Sequence, residues 1–137
     1  MEYLLDTNAC IEVIRNRVPA VRRRLSEVLA SRARVLVPSV ASFELWYGVA
    51  KSALPEANAR LVATFLRGVA GVLELDEEDA REAGRVRAGL EKSGKMIGAY
   101  DVLIAGQALR RGMTLVTGNV REFSRVRGLR WEDWGKR

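Results

Sequence analysis

Apolar residues follow two rhythms along this chain. Short runs such as "YLL" at 3–5 and "VLV" at 35–37 alternate with longer stretches where apolar positions recur every three or four residues. The first kind predicts buried strands and the second amphipathic helices. Strands are expected over residues 2–5, 34–38, 71–75 and 113–119, with a last edge strand in "GLRWEDW". A helix begins in "NACIEVIRN", and Pro19 suits the first turn of another through "AVRRRLSEVLA", with Val21, Leu25, Val28 and Leu29 on one side. Ser39 opens a third helix, whose apolar side is read as Val40, Phe43, Leu45 and Val49. Pro55 or Glu56 opens a fourth. Asp76 caps "EEDAREAGRVRAGLEKSG", and "GAYDVLIAGQALRRG" ends at Gly112 behind basic residues that suit the helix dipole. "VREFSRV" is a short helix or loop.

Strands alternating with helices imply an α/β fold, a mainly parallel sheet covered on both faces. No repeat or linker interrupts the alternation, so residues 1–137 are expected to form a single domain. In such folds ligands gather outside the C-terminal strand ends, near a switch in strand order. Asp6 ends the first strand and Asn119 closes "TLVTGN", so both are expected on that rim. Glu44 lies on the helix after the second strand, and Asp101 on the helix before "TLVT".

Composition narrows the chemistry. The chain has no histidine, which excludes a Ser–His–Asp triad, a histidine general base and histidine-ligated zinc. Its net charge of +6 favours a polyanionic partner such as nucleic acid. Cys10 is the only cysteine, and no apolar stretch approaches the roughly 20 residues that span a bilayer. The apolar run after Met1 is short and lacks a basic flank, so a cytoplasmic location without a membrane is the expectation.

Asp6, Glu44 in "SFELWYG" and Asp101 in "GAYDVLIAG" all sit among apolar neighbours. Buried carboxylates are costly without a partner. Each alone has an ordinary reading: a helix cap at Asp6, a surface acid at Glu44, a dipole partner at Asp101. Together they suit a hard divalent cation, which takes oxygen ligands.

The segments "LLDTNACI", "SFELWYG" and "IGAYDVLIAGQALRRGMTLVTGNVREFSRVRGLRWEDW", in that order, resemble the PIN-domain ribonucleases, specifically the VapC-like toxins of VapBC-type pairs. The resemblance runs from Tyr3 to Trp134. It implies a three-layer α/β/α sandwich, endonucleolytic RNA cleavage with Mg²⁺ or Mn²⁺, a homodimer, and inhibition by a small antitoxin. By position, Asp6, Glu44 and Asp101 match the family's acids, with Asp6 and Asp101 as metal ligands. The fourth position is Asn119, where many members carry Asp, so the site has one charge fewer. Glu122, three residues on, is a further candidate through water. Thr7, Asn8 and Thr117 match supporting polar positions. Glu44 either ligates the ion or orients the attacking water, and displacement of the 3′ oxygen by water leaves a 5′-phosphate. RNA-binding candidates are Arg15, Arg22, Lys95 and Arg121. Trp46 and Tyr47 fit core or dimer packing better than base stacking. The principal alternative is a PIN-like module that binds RNA or a partner without cutting.

Overall fold

Strands without polar alternation need cover on both faces, and the computed structural model, which describes residues 1–136, supplies it. Strands β1 (Glu2–Leu5), β2 (Arg34–Pro38), β3 (Gly71–Leu73), β4 (Thr114–Val116) and β5 (Trp131–Glu132) form one sheet in the order β3-β2-β1-β4-β5. Every neighbouring pair is parallel, as the alternation predicted. Leu4, Leu5, Val35, Val37 and Leu115 are sealed from solvent. The helices are α1 (Thr7–Arg15), α2 (Pro19–Ala30), α3 (Ser39–Lys51), α4 (Pro55–Arg67), α5 (Glu77–Lys92), α6 (Ala99–Arg111) and α7 (Val120–Phe123).

The strand order has a functional consequence. From β1 the chain steps outward to β2 and β3, then returns to β4 on the other side of β1. The order therefore reverses between β1 and β4, where α/β sheets open their ligand crevice. Leu5 pairs with Val116, so Asp6 and Thr117 leave the sheet at the same level.

Helix ends follow the sequence signals. Asp76 accepts from the Asp79 N–H at 2.9 Å while Asp79 accepts from the Asp76 N–H at 3.1 Å, a reciprocal cap. Gly112 closes α6 at φ 64°, a left-handed conformation that glycine adopts without strain. Between α5 and α6 the backbones approach so closely that a Cβ on Gly106 would lie 2.5 Å from Ala83 Cα.

Some expectations are corrected. Three strands are shorter than their apolar patterns: β3 ends at Leu73, β4 at Val116, and β5 keeps only Trp131 and Glu132. β5 pairs only with Leu115 and Val116, while Leu129 and Trp134 on either side turn into the core. Phe43 and Leu29 are not core residues but are 53% and 38% exposed. α3 is apolar nearly all round and buries Ala41 beside the expected Leu45, with Val40 and Val49 partly buried, so Phe43 is the misplaced member. Phe43 packs edge-on against Tyr100, with ring centroids 5.7 Å apart.

Candidate active site

Asp6 occupies the first position beyond β1, and its backbone N–H continues the ladder to the Val116 carbonyl at 3.1 Å. Its Oδ1 accepts from the Ala9 N–H at 2.8 Å, capping α1. The helix-cap reading is therefore correct, but it leaves a carboxyl that is only 3% exposed with charge to offset. Burial pushes the Asp6 pKa up to about 6, and the Asp101 and Glu44 carboxylates add to the rise. The Thr117 hydroxyl and the Ala9 N–H oppose it.

Glu44 reaches the same rim from α3. The Thr7 hydroxyl donates to Glu44 Oε1 at 2.5 Å, joining the start of α1 to the middle of α3. Asp101 lies in the first turn of α6 and is half-buried. Burial raises its pKa to about 6, followed by repulsion from Glu122 and then Glu44. Gly98 leaves Asp101 room, since a Cβ there would fall 3.2 Å from Asp101 Oδ2.

Asn119 precedes α7. Its backbone N–H donates to Thr117 Oγ1 at 2.9 Å, and its Nδ2 donates to Glu122 Oε2 at 2.6 Å. Glu122 is thus nearer the centre of the charge cluster than its sequence position suggested. Its i+3 spacing from Asn119, which made it a candidate in the sequence, is what brings the two side chains together at the start of α7.

Asp6, Glu44 and Asp101 thus share one electrostatic neighbourhood at the switch point, with Glu122 beside Asp101. Among the described residues none of the four forms an ion pair, although eleven such contacts occur elsewhere. An all-oxygen donor set that shares this neighbourhood without an ion pair fits a hard divalent metal. Among the described residues no three carboxylates close around a single point. The arrangement therefore suits an ion held by one or two carboxylates with water completing its shell, as Mg²⁺ prefers.

The other candidates separate. Thr7, Asn8 and Arg15 line a cavity of about 830 Å³ that also contains Glu44, Tyr47 and Lys51. Lys51 Nζ lies 4.7 Å from the Tyr47 ring centroid, a cation–π contact. Arg22 instead turns its guanidinium onto the Val13 and Ile14 carbonyls at the end of α1. Lys95 lies in a different cleft, and Arg121 is exposed on α7. Trp46 and Tyr47 are 39% and 57% exposed, so neither belongs to the core.

Known proteins share this architecture. The PIN domain family matches residues 3–129. The tRNA(fMet)-specific endonuclease VapC of Shigella flexneri is 40% identical over 134 residues, 98% of each chain. Ribonuclease VapC2 of Haemophilus influenzae is 37% identical over 98% of each. VapBC2 from Rickettsia felis, bound to a promoter DNA fragment, superposes with a TM-score of 0.91 at 34% identity, covering 98% of this chain and 99% of that one. DNA-bound VapBC from Salmonella typhimurium gives 0.90 at 40% identity, covering 98% of both. The chain belongs to the PIN-domain family and, within it, to the VapC ribonucleases.

Proposed function

We propose that this chain is a divalent-metal-dependent endoribonuclease, the toxin of a toxin–antitoxin pair, with Asp6, Glu44, Asp101 and Asn119 as its catalytic set. One observation carries the reading: acids from the end of β1, from α3 and from α6 crowd one rim, and among the described residues none of them is in an ion pair. Asp6 and Asp101 would hold Mg²⁺, with Mn²⁺ as a substitute. Once bound, the cation polarises the phosphate and acidifies a water. Glu44, fixed by Thr7, orients the attacking water. Asn119 offers a neutral oxygen while its amide nitrogen steadies Glu122. Displacement of the 3′ oxygen by water leaves a 5′-phosphate. Thr117 and Asn8 support the rim, and Arg15, Lys95 and Arg121 offset phosphate charge.

The relatives' names make tRNA, and tRNA(fMet) first, the substrate to try. The VapBC complexes among the structural relatives support a small cognate antitoxin as partner. A homodimer would cover the exposed Phe43, Trp46 and Tyr100. No described helix is long and apolar enough to cross a membrane, and the proposed substrate places the work in the cytoplasm. We take the whole chain as one domain.

The test incubates antitoxin-free protein with tRNA and Mg²⁺ or Mn²⁺, beside EDTA and Asp6→Asn controls. Cutting abolished by both controls supports the proposal, and cutting that survives both contradicts it. Binding without cutting would favour the inactive binding module, which Asn119 in place of an acid keeps as the second reading.

A further inference from the structure

A cleft of about 490 Å³ lies between α5 and the segment after α7. Both walls continue along the chain into segments that carry rim acids. Ser93 and Lys95 run towards Asp101, while Arg125 and Arg127 follow Glu122. Arg125 Nη1 donates to the Met96 carbonyl at 2.8 Å and ties the two walls together.

The cleft is strongly basic. Arg85, Lys95, Arg125 and Arg127 line it against a single acid, Glu82, which pairs with Arg85 at 2.8 Å. Among the described residues Lys95, Arg125 and Arg127 have no acidic partner. The floor is aliphatic, from Val86, Leu90 and Leu109. Among the described residues no aromatic side chain lines the cleft, so it has no platform for a base. Such a surface suits a phosphate chain, which arginine and lysine grip without reading sequence. Gly89 lines the same cleft from within α5, where glycine weakens a helix relative to alanine, and a Cβ there would meet nothing within 4 Å. That glycine leaves the groove open.

We infer that the cleft formed by α5, Lys95 and the Arg125–Arg127 segment holds the phosphate backbone of the RNA substrate beyond the cleaved bond. The strand then crosses the acids between this cleft and the Arg15–Lys51 cavity. The inference rests on the ribonuclease reading.

Two substitutions on one helix make the test. Gly89→Glu places a carboxylate in the cleft. Gly84→Glu makes the same charge change on α5 outside the cleft, at an exposed position that also has open space. Each is measured by tRNA cleavage in Mg²⁺. Binding of labelled, unfractionated tRNA is measured in an Asp101→Asn background, with salt titration. Gly89→Glu should bind and cut several-fold less well than Gly84→Glu. Lys95→Ala with Arg127→Ala should flatten the salt dependence by roughly 0.7–0.9 for each phosphate no longer neutralised. Cutting by wild type with Gly89→Glu equal to Gly84→Glu, and an unchanged salt slope, would overturn the cleft alone. RNA neither bound nor cut by wild type would overturn the ribonuclease reading and the cleft with it.

Discussion

Thr7 and Glu44, 37 positions apart in the chain, are joined by a 2.5 Å hydrogen bond. The residue after Asp6 thereby fixes the acid contributed by α3. A hydrogen bond to a charged group contributes about 1.5–3 kcal/mol. Thr7→Val keeps the side-chain shape but releases Glu44, and tRNA cleavage should slow by roughly ten- to a hundredfold. Thermal stability should fall by no more than that bond contributes, because Thr7 is only partly buried. An unaltered rate would mean that Glu44 does not act from this position.

Asp79 predicts a distinct acid response. Its carboxylate is fully buried and meets Arg110 Nε at 2.8 Å, Arg111 Nη2 at 3.1 Å and Gln107 Nε2 at 3.2 Å. Burial alone would raise its pKa, but the Arg111 hydrogen bond, the Asp76 N–H and Arg110 outweigh burial and hold it down at about 2. A depressed folded pKa gives stability that is present above the unfolded value of 3.8 and is lost as pH falls towards 2. Wild type should therefore lose stability across that window, and Asp79→Asn should show a flatter acid limb. At neutral pH Asp79→Asn should also lower stability, although Arg110 and Arg111 stay partly exposed and keep Asp76 as a partner. Chemical denaturation as a function of pH measures both effects.

Gly106 sets the spacing of α5 and α6. Alanine normally strengthens a helix interior by about 1 kcal/mol over glycine. At Gly106 the added carbon would collide with the Ala83 backbone, and overpacking of that kind costs typically 1–3 kcal/mol. Gly106→Ala should lower the melting temperature, whereas Gly84→Ala on α5 should raise it slightly. A melting temperature raised by both would mean the helices separate freely.

The sequence carried the elements more clearly than their contacts. Apolar runs, Pro19, Asp76 and Gly112 marked strands, helix starts and a helix stop because each acts through local backbone geometry. Asp6 stood out because it follows an unbroken apolar run. Strand order was not legible, since periodicity says which faces are buried but not which strands are neighbours. Nothing in the sequence singled out Asp79, whose burial depends on Arg110 and Arg111 some thirty residues away. Arg22 read as a phosphate contact, yet its guanidinium closes the end of α1. Glu122 was a candidate from its spacing to Asn119, and the bond between the two side chains follows from the turn of α7.

The central claim is that repulsion among the rim acids is relieved by a divalent cation held through Asp6 and Asp101. Calorimetric titration of Mn²⁺ into antitoxin-free protein at neutral pH measures this directly, beside Asp6→Asn and Asp101→Asn. The account predicts saturable binding by wild type that either substitution sharply weakens. Binding of equal strength in all three proteins, or none in wild type, would contradict it.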